Sequence, residues 1–544
     1  MQAISSPTIA VNGCLIIGTR FSPAASAACP RPVEAFYNIP YASTDRFSQA
    51  RPLPLGSQTS GTRLDASRIK YAGPNPNCTT STLRLHITRP STASQQPLPV
   101  IIYFHGGAFN FGDPSETDSV SFVAHAQKDI IVVAIYYRLG VLGFLAGEGE
   151  ANLGLKDQRL AVEWAHSWIP VFGGDPALIT LRGVSAGAHS IGHHMLNPSP
   201  LPFHKVILES GSPTARSVLS ASHPRTAANL DSVRSSMLPV VTPPRTVKVN
   251  FLLNAGLDVF SKHAESLTWP FQPVVDGPGG IIPDLPLNLW QLKASSSSSD
   301  QAGRGETSPL PAAVITGFCT SEGIDFISET CSDFRSFFTK LIPSLTVADL
   351  EALEALYPPS GDHAAAGRRA DLVRRLGLAY GDYAYICPII HTAHMISKLG
   401  GKVYLYEFAA LVSEAHRAAS HASHSDLVTR STLGAELPGL EAVSAEMHSR
   451  WAEFAASPTG VFAGDRWPLF VTPFGAGGDD GDEAKGKLLV FGQGNDEVSG
   501  GENAGVRVQT RTLTEREREV CRFWWDRMEL SQGDGNAGVV SEAY

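Results

Sequence analysis

Residues 183–187, Gly-Val-Ser-Ala-Gly, constrain this chain more than any other stretch. They stand between an apolar run at residues 178–181 and a segment at 186–196 that reads as a helix. A serine at such a junction must turn sharply from strand into helix with strained backbone angles. Only very small side chains two positions to either side avoid that turn, which accounts for Gly183 and Gly187. The turn holds the Ser185 hydroxyl clear of the sheet, and the N–H of Ala186 opens the helix beside it, where negative charge would be stabilised. With 50 glycines in 544 residues the bare pattern arises readily by chance, so its strand–turn–helix setting has to carry the argument.

The setting extends well beyond the turn. Residues 99–104 read as an apolar strand that ends in His105-Gly106-Gly107-Ala108-Phe109, and 122–127 as a helix. Residues 130–137 form a β-branched run closed by Arg138. Residues 155–168 space Leu160, Val162, Trp164 and Trp168 at helical intervals. Further strands are expected at 312–318 and 402–408, and helical patterning returns at 440–454 and 514–528. Alternation of this kind predicts an α/β chain with a mostly parallel sheet covered by helices on both faces. Residues 1–544 read as one domain, with flexible loops near 294–308 (Ser-rich) and 475–505 (Gly- and Asp-rich).

Composition narrows the function classes. With 43% hydrophobic and 17% charged residues the chain can bury a large core. The net charge of -9 comes with no basic block, which argues against nucleic acid as a partner. The longest apolar run is too short to span a bilayer, so no membrane anchor is expected. The N-terminus lacks the cationic and apolar regions of a signal peptide, and the 7 cysteines are irregularly spaced. Together these predict a cytoplasmic protein.

Several motifs in one order resemble the type-B carboxylesterase family, a group that includes cholinesterases and fungal lipases. They are Tyr37 to Ala42 with Arg46-Phe47, Asn152 to Gln158, Ala161 to Trp164, Phe172 to Pro176, the 183–187 turn, Pro273 to Gly277, Val403 to Tyr406, and Cys521 to Trp524. The resemblance covers nearly the whole chain. It implies an α/β-hydrolase fold with long insertions and a carboxylic ester hydrolase that works through a serine acyl-enzyme. The partner would be a small-molecule ester, with no cofactor and no metal. It further implies Ser185 as nucleophile, Glu322 as the triad acid, and an oxyanion hole made by the N–H groups of Gly107, Ala108 and Ala186. Asp325 and Glu329 compete with Glu322 but lie deeper in the following segment. The histidine should follow the 402–408 strand, where His416, His421 and His424 stand. His424 is favoured for its downstream context and spacing, while His421 has the better upstream context.

Other readings of the same residues stay open: an acyltransferase or cyclase with the same triad, or a catalytically silent relative used for binding. Val184 stands where the family usually carries Glu, so cationic substrates should be attracted less. The check is a choline ester against its neutral isostere; a strong choline preference would contradict the expectation. Cys78 resembles the first cysteine of a family disulfide, but its partner position reads as Thr82. His189 and His193 are four apart on the 186–196 helix, a metal-like spacing with no acidic helper, and packing is the expected role. Packing is likewise the expected role for most of Trp164, Trp168, Trp269 and Trp290.

Overall fold

The β-branched run Ile-Val-Val-Ala-Ile forms the strand Ile131–Ile135 and is buried at every position. A strand covered on both faces has no polar side, which is why its sequence reads as one continuous apolar run. The computed structural model describes residues 6–22, 30–57, 63–69, 82–92, 94–237, 243–296, 309–360, 365–412, 418–431, 437–475 and 484–532. Within them this strand belongs to a 12-stranded sheet.

From one edge the order is Val506–Thr512, Lys487–Gln493, Val403–Phe408, Ala313–Cys319, Lys205–Glu209 and Gly174–Val184. It continues through Leu98–Phe104, Ile131–Ile135, Thr82–Pro90, Val33–Ser43 and Thr19–Phe21, with Arg51–Pro52 pairing beside Val33–Ser43. Neighbours from Ile131–Ile135 through to Lys487–Gln493 run parallel. The pairs towards both edges are antiparallel. Parallel neighbours need crossover connections, and here these carry the helices. A separate 3-stranded sheet joins Thr8–Val11, Cys14–Ile17 and Arg63–Asp65.

Successive residues of the inner strands feed two cores. Val100, Ile102 and Phe104 pack in one cluster with the helices Leu153–Trp168 and Ala186–Leu196. Ile101 packs in the other, with Ser119–His125 and Pro438–Ala456. This is the doubly covered, mostly parallel sheet that the alternating pattern predicts.

The helix Ala186–Leu196 has the bounds read from sequence, and the nucleophile strand is longer than its apolar core, running Gly174–Val184. Of the loop expected at 475–505, residues 476–483 lie outside the described residues, and residues 484–505 depart from expectation. They contain the strand Lys487–Gln493, whose Leu488, Leu489, Val490 and Phe491 are buried, and the turn Glu497–Ser499. The Gly and Asp residues on either side hid a short apolar run that makes a sheet strand. Of the loop expected at 294–308, residues 294–296 end the helix Pro286–Ser296 and 297–308 lie outside the described residues. Cys78 also lies outside them, and Thr82 opens a strand. No helix among the described residues is long and apolar enough to cross a membrane.

Arg138, which closes the central apolar run, ties the sheet to the helix Leu153–Trp168. Its Nη2 lies 2.7 Å from Asp157 Oδ1 and its Nε 2.7 Å from Oδ2, with Asp157 wholly buried. Asp157→Ala would leave a buried guanidinium unpaired. The expected loss is about 3–5 kcal/mol of unfolding free energy, read from denaturant titration. A loss below about 1 kcal/mol would mean that water reaches the arginine and the pair is not needed.

Candidate active site

Ser185 occupies the end of the strand Gly174–Val184 with φ 54 and ψ -122, a conformation that L-residues rarely adopt. The cost, on the order of 1–3 kcal/mol, is met by surrounding structure that permits nothing else. A Cβ at Gly183 would lie 2.5 Å from the backbone of Gly187, and one at Gly187 would lie 2.1 Å from the Phe104 carbonyl. Both glycines are therefore required by close backbone approach. The Ser185 N–H donates to the Glu209 carbonyl at 2.8 Å, and its own carbonyl accepts from His189 N–H at 2.9 Å. The hydroxyl is left free to face the neighbouring loops.

Two of those loops meet it. His421 Nε2 lies 2.8 Å from Ser185 Oγ, and His421 Nδ1 lies 2.5 Å from Glu322 Oε2. Glu322 follows the strand Ala313–Cys319 and is wholly buried. Its other oxygen, Oε1, accepts from the Cys319 N–H at 2.7 Å and from the Ser210 hydroxyl at 2.6 Å. Both carboxylate oxygens are thus satisfied, and the imidazole is held in one orientation. The competing acids Asp325 and Glu329 are exposed, unlike Glu322.

His424, favoured from sequence as the triad base, is not the residue that reaches the serine. Its Nε2 lies 3.0 Å from the Tyr406 hydroxyl and its Nδ1 3.3 Å from Cys319 Sγ. Burial lowers its pKa, so it sits there as a neutral packing histidine. Pairing of the two loops decides the matter. Ser321 N–H donates to the Ala419 carbonyl at 2.8 Å, and Ser321 bridges in parallel to Ser420. The residues that follow, Glu322 and His421, are thereby set side by side. Ala422 then turns with φ 60, and His424 caps the short helix Ser425–Thr429. The small residues around it, Ala418-Ala419-Ser420 and Ala422, were the sequence signal for His421. His416 lies outside the described residues.

The loop after Leu98–Phe104 lies against the same turn, since a Cβ on Gly106 would come 3.2 Å from Ser185 Cβ. Gly107 has φ 103, and a Cβ there would lie 2.3 Å from the Phe111 carbonyl. Ala108 is also left-handed, with φ 52. Asn110 Nδ2 donates to the Ala108 carbonyl at 2.7 Å, and Tyr137 donates its hydroxyl to the His105 carbonyl at 2.8 Å. Burial pushes His105 down to about 4, so it is neutral. Among the described residues, no group accepts from the N–H of Gly107, Ala108 or Ala186. Three fixed, unengaged donors beside a serine hydroxyl suit the charge of a tetrahedral oxyanion.

His189 and His193 are both buried, and His189 Nδ1 lies 2.9 Å from the Ser212 carbonyl and 3.0 Å from its N–H. Three site residues were missed from sequence. Ser210 holds the acid, and a hint lay in Ser210-Gly211, which follow an apolar strand much as the nucleophile does. Tyr385, on the π-helical turn Asp382–Ile386, lies 4.3 Å from the His421 ring, and Phe326 lies 5.2 Å from it, ring to ring. Nothing in the local sequence marks these two aromatic residues, because they come together only across the folded chain.

Comparison with known proteins agrees with the architecture. The model of the carboxylesterase family matches residues 5–474. A protein named Secreted lipase 4 from Gibberella zeae is 32% identical over 335 residues, covering 57% of this chain and 57% of that protein. The chain's match thus spans little more than half of that lipase. Acetylcholinesterase from Bungarus fasciatus is 28% identical over 505 residues, covering 81% of this chain and 78% of that enzyme. With the family model covering most of its length and a mostly parallel sheet that positions a strained serine, this chain belongs to the carboxylesterase family and has its α/β-hydrolase fold.

Proposed function

We propose that the chain hydrolyses carboxylic esters of small molecules through an acyl-enzyme on Ser185. The observation that carries this is the relay Glu322–His421–Ser185, at 2.5 and 2.8 Å, on a serine held in a strained turn. His421 takes the Ser185 proton through Nε2 as Oγ attacks the ester carbonyl. The imidazolium is stabilised by Glu322 at Nδ1, and the oxyanion by the N–H groups of Gly107, Ala108 and Ala186. His421 then protonates the leaving alcohol, and water attacks the acyl-enzyme by the reverse route. No cofactor or metal enters these steps. Membership of the carboxylesterase family supports the reaction class.

The test is a fluorophosphonate probe together with a panel of short-chain esters. Stoichiometric labelling at Ser185 with parallel loss of esterase activity is expected. An intact, folded protein that takes no label would favour the silent, binding-only reading. Transfer of the acyl group to added alcohols or amines faster than to water would favour the acyltransferase reading. A cytoplasmic setting belongs to the same proposal, supported by the irregular spacing of the 7 cysteines and, among the described residues, by the free thiols of Cys319, Cys331, Cys387 and Cys521. Recovery of the protein from the medium of the cells that make it would overturn that part.

A further inference from the structure

Arg216 presents a charge problem that the hydrolytic relay does not use. It follows the strand Lys205–Glu209 and has φ 63, and only 6% of its surface is exposed. Buried guanidinium groups are nearly always matched by a carboxylate, because desolvating an unpaired charge is expensive. Elsewhere in this molecule the rule is kept: Arg138 has Asp157 and Arg182 has Glu209. Arg216 has no ion pair among the described residues. Its one hydrogen bond is from Nη2 to the Tyr385 hydroxyl, and its Nε is buried with no partner.

What surrounds it is an aromatic cage. The guanidinium carbon lies 5.2 Å from the Trp269 ring, 5.3 Å from Tyr385 and 5.9 Å from Phe326. Such contacts compensate a cation in part and leave its N–H donors unspent. Tyr385 and Phe326 are the same rings that pack on His421. The cage therefore shares two of its three walls with the triad histidine, and the cation stands one ring away from the reacting centre. Arg216 also lines a narrow cleft with Arg225, Gln272 and Tyr383, and Arg225 too has no carboxylate partner among the described residues. His189, next in the same region, is held well below the usual imidazole range by burial and then by the charge of Arg216. No acid stands at position 184 to cancel this field, since Val184 precedes the nucleophile.

We propose that Arg216 is a specificity residue of this site: it binds a carboxylate carried by the ester, on the acyl or the alcohol side of the scissile bond, and the preferred substrates are anionic esters. The inference rests on the ester-hydrolase reading above and adds the substrate class. A planar guanidinium with unspent donors matches a carboxylate in shape as well as charge. Its burial removes the competition from water that makes exposed pairs weak.

The test uses the full chain and two substrate pairs. For the acyl side, mono-(4-nitrophenyl) glutarate is compared with 4-nitrophenyl valerate; for the alcohol side, 4-acetoxybutanoate is compared with butyl acetate. Wild type should favour the anionic member of one pair by at least roughly tenfold in kcat/KM, and that pair identifies the side. Arg216→Met should lower kcat/KM for that anionic ester about 30-fold while changing its neutral partner less than about threefold, with Arg216→Lys between the two. Free glutarate should inhibit wild type competitively and Arg216→Met much less. If Arg216→Met does not fold, the wild-type ratios and the glutarate inhibition decide by themselves. Preference for the neutral member in both pairs would overturn the inference, as would an equal loss on both members in Arg216→Met, which would mark a packing role. Cleavage of neutral esters without preference overturns this inference alone. Failure to cleave any of the four, with no fluorophosphonate label on Ser185, sinks the hydrolase reading itself.

Discussion

His421→Ala is expected to lower ester turnover by at least about a thousandfold, while His424→Ala leaves it within about tenfold of wild type. The two residues are three positions apart in the same loop, and both are imidazoles near Glu322. Only His421 spans the gap, with Nδ1 on the carboxylate and Nε2 on the serine. Removing it leaves Ser185 without a base and Glu322 Oε2 without its donor. His424 instead bonds the Tyr406 hydroxyl at 3.0 Å inside a wholly buried pocket. Its loss should appear in stability, at about 1–3 kcal/mol for an orphaned hydroxyl and a small cavity. Steady-state kinetics beside denaturant unfolding separates the two effects. A dead but stable His424→Ala enzyme, with an active His421→Ala, would reverse the assignment.

Ser185→Ala should be the most severe single substitution for catalysis, with a fall of at least about a thousandfold and as much as a millionfold. No neighbouring hydroxyl can take the place of Oγ. Ser210, the nearest serine in the relay, already donates to Glu322 at 2.6 Å. Residual turnover should come from the N–H groups of Gly107, Ala108 and Ala186 acting on water attack. The fold should be undisturbed, because the strained turn is imposed by Gly183, Gly187 and the Phe104 carbonyl rather than by the hydroxyl. Single-turnover assays with a chromogenic ester give the measurement. Undiminished cleavage by the alanine variant would remove the serine, and with it the acyl-enzyme, from the mechanism.

These two expectations differ in how far sequence could lead to them. Ser185 was legible because everything that defines it is local: an apolar strand, two glycines and a helix within a few residues. Glu322 was legible from a strand end followed by Glu-Gly, with the resemblance naming its role. The choice between His421 and His424 was not, since both sit in one polar loop, and downstream context and spacing favoured His424, which the fold does not bring to the serine. Likewise the strand Lys487–Gln493 was lost among glycines and acids that say loop, although its buried run Leu488–Phe491 is clear once it is paired with Val403–Phe408.

What the sequence by itself determined is the set of structures whose causes are short-range. Strands follow from continuous apolar runs, the elbow from glycine where backbones touch, and the parallel α/β class from alternation of the two periodicities. What only the tertiary structure decided is every feature made by segments far apart in the chain. The bridge between Ser321 and Ser420 selects His421, and Tyr385, Phe326 and Trp269 converge on Arg216. Such contacts depend on how loops of different strands are registered in space, and that register is set by the packed sheet beneath them rather than by the residues of either loop.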